Sequence, residues 1–306
     1  AIALQIAFYD QKNIDFNDIY FFGELSLDGN IKDTSSIFPI ILSLTKKNLI
    51  NKVLVCEESA KKLSNIPNLE IYCVKNLDDA INFIKSNKKE EFLFKKNPLE
   101  YKVLKINEIE YYFDTNYIDD FQDVIGQDMA KNAAVISSAG CHNIIFEGSP
   151  GCGKSMISKR LKYIMPPMNL EEILEKAKLQ SLDYKEVDFL PIRAFRSPHH
   201  SSTKSSIFGG GSSNAKMGEI ALSNNGILFF DELPHFSKSI LEALREPLED
   251  NKILISRVNT KIMYETKFIF IAAMNPCPCG NLLSSVKECR CHFHQNMINS
   301  NKLCYN

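Results

Sequence analysis

The sequence predicts an α/β fold in two parts, the second built around a phosphate-binding loop. Three observations carry that prediction. Short apolar runs alternate with helix-spaced segments along most of the chain. Ile144, Ile145 and Phe146 form a strand pattern that leads into Gly148, Ser149, Pro150, Gly151, Cys152, Gly153, Lys154 and Ser155, followed by a helical pattern. Four apolar residues, Ile227–Phe230, end in the paired carboxylates of Asp231 and Glu232.

In chain order, residues 34–48 and 77–86 have helical spacing, with Thr34 and Asp78 or Asp79 near the starts. Residues 51–58 and 68–76 are strand-like. The charge-rich stretch 87–108, with Pro98, reads as a seam between domains. The expected division is a first domain over 1–87, a linker over 88–114, a nucleotide-binding core over 115–291 and a divergent tail over 292–306.

The 306 residues suffice for two domains with hydrophobic cores. A composition of 44% hydrophobic and 24% charged residues is that of an ordinary globular chain. With a formal net charge of −1, any nucleic-acid surface has to be a local patch. The sequence has no apolar run of membrane-spanning length. Residues 1–9 lack the basic region and cleavage site of a signal peptide. Nine cysteines without an export signal point to reduced thiols or metal, hence to the cytoplasm.

The chemistry of the loop follows from its residue types. G-x-x-x-x-G-K-[ST] between strand and helix lets the glycine backbone turn its N–H groups toward phosphate oxygens, aided by the helix N-terminus. Lys154 then reaches the β/γ-phosphates of ATP, and the Ser155 hydroxyl ligates Mg²⁺. Asp231 would hold Mg²⁺ through water, and Glu232 would polarise the attacking water. The plain alternative for the two acids is an exposed strand end. Residues 268–273 form another apolar strand ending near Asn275, which would orient the attacking water or touch the γ-phosphate. A turn-forming asparagine is the alternative there.

The strings "GSPGCGKS", "GILFFDELPHF" and "FIFIAAMNPCPCG", in this order, resemble an AAA+ ATPase, and more narrowly the magnesium-chelatase-like ComM/YifB family. "DFQDVIGQDMAKNAA", "FRSPHHSSTKSSIFGGG" and "GEIALSNNGILFFDELPHFSKSILEALREPLED" add to the likeness, which covers residues 119–291. The resemblance implies a P-loop AAA+ domain and a homo-hexameric motor acting on DNA, with branch migration, recombination and competence as its setting. It places Val124–Gln127 near the adenine, so Gln127 joins the cofactor-binding candidates. It matches 203–219 to an insert facing a central pore and 251–265 to a hairpin. Lys204, Lys216, Arg257 and Lys261 are then candidate phosphate contacts, or else solvated loop charges. His199, His200 and Arg245 receive no role.

The first 87 residues resemble the α/β domain of Lon-type proteases (ribosomal S5 domain 2-like), which also precedes the ATPase in the ComM/YifB family. Phe38 stands where the Lon pattern wants its lysine, so no protease activity is expected. The family pattern extends beyond both ends. The arginine finger and helical lid would follow the cysteines, where 292–306 shows no likeness. The expectation is therefore ATP binding, with hydrolysis and hexamer coupling compromised.

Cys277, Cys279, Cys289 and Cys291 match cysteines of the same family and are compatible with a tetrahedral Zn²⁺ site, although C-x-C is tighter than the usual spacing. The competing readings are a Mg-chelatase-type motor subunit and a non-hydrolysing nucleotide-binding zinc protein.

Overall fold

A computed structural model of the chain describes residues 18–86, 88–97, 99–117, 119–210, 217–256, 261–282, 289 and 291. The chain divides into two compact units. Unit 1 is residues 1–100 with 177–189, and unit 2 is residues 101–176 with 190–306.

Unit 1 contains β1 (Ile19–Phe21), β2 (Glu24–Leu25), β3 (Ile31–Lys32), α1 (Ile37–Lys46), β4 (Lys52–Val55), α2 (Glu57–Leu63), β5 (Glu70–Cys73) and α3 (Leu77–Lys85). Its main sheet is parallel, in the order β1-β4-β5. Val53, Leu54 and Val55 are buried, as expected of a central parallel strand whose two faces are both covered. The α3 helix starts at Asn76, whose side chain accepts the Asp79 N–H at 2.8 Å. Asp78 and Asp79 themselves lie in the first turn, where they complement the helix dipole. Ser36 immediately precedes α1, two residues after Thr34.

Unit 2 begins with β6 (Lys102–Ile106) and β7 (Ile109–Phe113), an antiparallel hairpin inside the stretch expected to be a linker. Its two turn residues, Asn107 and Glu108, both have positive φ (47° and 67°), as a type I′ turn requires. After α4 (Asp128–Gly140), β8 (Ile144–Glu147) and α5 (Lys154–Ile164) flank the phosphate-loop sequence. Next, β9 (Met168–Asn169) pairs with β7, and α6 (Leu170–Leu182) follows, its residues from 177 onward grouped with unit 1. The chain continues through β10 (Phe195–Arg196), α7 (Lys204–Phe208), α8 (Glu219–Leu222), β11 (Ile227–Phe230), α9 (Lys238–Ala243) and α10 (Arg245–Asp250). It then forms the hairpin β12 (Lys252–Ser256) with β13 (Lys261–Glu265), and ends in β14 (Ile269–Met274).

The central sheet of unit 2 is parallel, in the order β10-β11-β14-β8. Every residue of β11 and β14 is buried. Alternate residues serve opposite faces. Leu228, Phe230, Phe270 and Ala272 pack with Ile207, Ile220, Ile240 and Leu244 on one side. Ile227, Phe229, Ile269, Ile271 and Ala273 pack with Ala134, Ile157 and Leu161 on the other. This double burial stabilises the sheet and fixes its register, because a one-residue slip would exchange the two faces. Among the described residues no helix is long and apolar enough to cross a membrane.

Candidate nucleotide site

Parallel strands present their C-terminal ends to ligands, and here three ends align. Glu147 of β8 pairs with Met274 of β14, and Phe230 of β11 pairs with Ala272. The next residues outward carry the chemistry: the loop from Gly148, Asn275, and Asp231 with Glu232. Because β14 lies between β8 and β11, Asn275 emerges between the lysine and the carboxylates.

The loop is built for close approach of an anion. Gly151 and Gly153 have φ of 78° and 89°, a conformation that glycine adopts without strain, and no atom lies within 4 Å of where their Cβ atoms would be. The Gly148 N–H donates to the Met274 carbonyl at 3.3 Å, tying the loop to β14. The Lys154 ammonium points back into the loop. It donates to the carbonyls of Gly148 (2.7 Å) and Ser149 (3.0 Å) and to Asn275 Oδ1 (3.2 Å). The Ser155 hydroxyl donates to Asp231 Oδ2 at 2.9 Å. Residues 121 and 76 positions apart in sequence are thus joined by direct hydrogen bonds. An ammonium inside a glycine loop and a hydroxyl–carboxylate pair beside it suit a nucleotide triphosphate and a Mg²⁺ ion.

Glu232 takes a different path. Its backbone is left-handed (φ 54°), and its carboxylate meets His235 Nδ1 at 3.1 Å. The sequence reading singled out Glu232 but not His235, although a histidine three residues after an acid at a strand end was the available signal. Gln127 caps α4 in a left-handed conformation (φ 56°), and its role beside the base stays a proposal. Arg160 of α5 also escaped the sequence reading. Its guanidinium binds the Asp120 carbonyl and the Asp119 carboxylate (2.9 and 3.0 Å), holding the segment before α4.

Arg245 forms an exposed ion pair with Glu249 at 2.8 Å, of the kind that contributes little to stability. It is the first residue of α10, which Leu244 separates from α9. Lys204 begins α7 with its ammonium over the Phe208 ring. Lys216 and Arg257 lie outside the described residues, as does the side chain of Lys261.

The cysteines gather at the same end of the sheet. Sulfur–sulfur distances are 3.3 Å for Cys277–Cys279, 3.6 Å for Cys277–Cys289 and 3.7 Å for Cys279–Cys289, and Cys291 joins the cluster. A disulfide would bring sulfurs to about 2 Å, whereas four thiolates around zinc, each at about 2.3 Å, stand about 3.8 Å apart. The backbone N–H of Cys291 lowers the Cys289 thiol pKa, but lost hydration and hydrogen bonds from neighbouring sulfurs outweigh it and push Cys289 up to about 12. The turn is seated on the phosphate loop. Gly280 has φ +75°, and a Cβ there would lie 2.3 Å from Pro150 Cδ. His292 and His294 lie outside the described residues.

Parallel-sheet topology, loop and acidic strand end together define an α/β domain with a phosphate-loop sequence between β8 and α5. Residues 120–305 match the family described as magnesium chelatase, subunit ChlI, and residues 1–59 match the description subunit ChlI of Mg-chelatase. The first match runs past residue 291, where the sequence reading ended the resemblance. Competence protein ComM of Haemophilus influenzae is 37% identical over 263 residues, 85% of this chain and 49% of that protein. The protein YifB of Salmonella typhimurium is 46% identical over 172 residues, 56% of this chain and 34% of that protein. The chain spans half or less of these relatives. It belongs to the magnesium-chelatase-like ComM/YifB family, whose fold is AAA+-like.

Proposed function

We propose that this chain binds ATP with Mg²⁺ and forms the core of a DNA-acting AAA+ motor of the ComM/YifB type. The observation that carries the reading is the convergence of Lys154, Asn275, Ser155 and Asp231 through two hydrogen bonds. In this reading Lys154 leaves its carbonyl partners and neutralises β/γ-phosphate charge. Ser155 and Asp231 would hold the magnesium ion, which when bound supplies further neutralisation of the phosphate oxygens. Asn275 orients the water, and Glu232 accepts its proton. Recombination and competence as the setting, and a homo-hexamer as the working form, come from the family resemblance and from the name of the ComM relative. Reduced thiols suit the cytoplasm, where the proposal places the chain.

The finer reading of unit 1 as a Lon-like domain belongs to the same proposal. Phe38 is 1% exposed and meets Phe189 edge-on at 5.9 Å, so that position offers an apolar ring and no amine. Proteolysis is not part of the function.

The test is ATP turnover with and without branched or single-stranded DNA. The family match runs through residue 305, so the divergence of the tail no longer counts against hydrolysis, and DNA-stimulated turnover is expected. Nucleotide binding with turnover indifferent to DNA would overturn the DNA-motor reading and leave the binding site standing.

The proposal includes Zn²⁺ at Cys277, Cys279, Cys289 and Cys291, supported by the sulfur spacing. Metal analysis of chain purified without chelator should find about one zinc per chain. Cys279→Ser with Cys289→Ser should lose it. A metal-free parent chain with four reactive thiols would remove zinc from the reading.

A further inference from the structure

We infer that His200, Glu232 and His235 form a second metal site, one for a transition-metal ion of the zinc, nickel or copper type. One ligand atom from each side chain lies within 4.8 Å of the other two. The His235 Nδ1–Glu232 Oε2 distance is 3.1 Å, and the His200 and His235 rings meet edge-on with centroids 5.7 Å apart. The site is independent of the cysteines in donor chemistry. It is also independent of the magnesium pair, since Asp231 Oδ2 is engaged by Ser155.

Both halves of the site are held by backbone before any ion arrives. Glu232 precedes and His235 ends a tight turn, Leu233–His235, that contains Pro234. Glu232 is fixed at φ 54°, and the His235 N–H donates to the Glu232 carbonyl at 2.8 Å. Glu-x-x-His is a spacing that brings carboxylate and imidazole to one ion. His200 comes from a separate loop, after β10, closed by the Ser202 N–H on the His199 carbonyl at 2.9 Å. His199 lies against His200, with ring centroids 4.1 Å apart and planes tilted by 35°. Its own Nδ1 accepts the Ser201 N–H at 3.2 Å and meets the Ser201 hydroxyl at 2.7 Å, so it braces the ligand ring.

The donor set selects the ion. Two imidazoles and one carboxylate suit zinc, nickel and copper, whereas magnesium prefers oxygen ligands and water. Side-chain exposures of 62% for His235 and 53% for Glu232 leave room for water at the remaining coordination positions. The functional consequence rests on the proposed role of Glu232. A carboxylate bound to the ion is no longer a base, so occupancy of this site inhibits hydrolysis while leaving nucleotide binding intact.

The experiment is equilibrium dialysis of the full chain against nickel, with His200→Ala and His235→Ala in parallel. The parent chain should take up one more nickel ion than either variant, at micromolar free nickel. Each substitution should weaken that site by at least about tenfold. Equal uptake by all three proteins overturns the site, and this readout needs no turnover. Where turnover is measured, saturating nickel should lower it at least about tenfold in the parent and leave His235→Ala little changed relative to its own nickel-free rate. A parent that binds the extra ion and hydrolyses ATP undiminished would retain the site and overturn its inhibitory role.

Discussion

Glu232→Gln will bind ATP as tightly as the parent chain and hydrolyse it more slowly by about 10² to 10⁴, the range supplied by a positioned general base. The site separates the two effects. Binding falls to the loop, to Lys154 and to the Ser155–Asp231 pair, and none of the hydrogen bonds among them involves Glu232. The substituted amide is the same size as the carboxylate and can still meet His235, so the turn over Leu233–His235 keeps its shape. Losing charge from an exposed pair with His235 costs less than about 1 kcal/mol. Fluorescent-nucleotide titration beside phosphate release measures both quantities. Parallel loss of affinity and rate would mean that Glu232 supports the loop and is not a base. Unchanged turnover would mean that the water is activated elsewhere.

How much of this site was legible in the sequence depends on how local each feature is. The phosphate loop is a contiguous string whose glycines state their own backbone requirement, and Ile227–Phe230 followed by acids states a buried strand end. Both were readable from neighbouring residues alone. The hairpin over Lys102–Phe113 was not, because every residue of its first strand is exposed and lysines interrupt the apolar alternation. Its turn, Asn107-Glu108, also lacks the glycine that usually announces a type I′ turn. The grouping of 177–189 with unit 1 depends on long-range packing, such as Ser181 donating to the Ser35 carbonyl across 146 positions. No periodicity encodes that. Gly280 against Pro150 belongs to the same class: the sequence shows a glycine after C-P-C, and only the fold shows what it touches. His235 was missed for a different reason. Its partner Glu232 was read for catalysis alone, and an acid and a histidine three apart meet only because of the turn between them.

Lys154→Ala should lower ATP affinity about a hundredfold, equivalent to about 3 kcal/mol, the upper range for hydrogen bonds to a charged group. The effect has two opposing parts, because the ammonium is already occupied. It donates to three oxygens, of Gly148, Ser149 and Asn275, and more distantly to Cys152 Sγ (3.8 Å), and nucleotide binding has to exchange these for phosphate oxygens. The exchange favours phosphate, since a charge-assisted bond to an anion is roughly twice as strong as one to a neutral carbonyl. Removing the side chain also releases Asn275 Oδ1 and the two carbonyls, so the nucleotide-free loop loosens at the end of β14. Lys154→Arg separates the two parts. It retains the charge, but its longer planar head cannot sit on the same three acceptors. Affinity restored toward the parent by arginine would assign the loss to charge at the phosphates. Arginine as weak as alanine would assign it to the geometry that joins the loop to Asn275. Affinity unchanged in the alanine variant would remove Lys154, and with it the phosphate-binding reading of the loop.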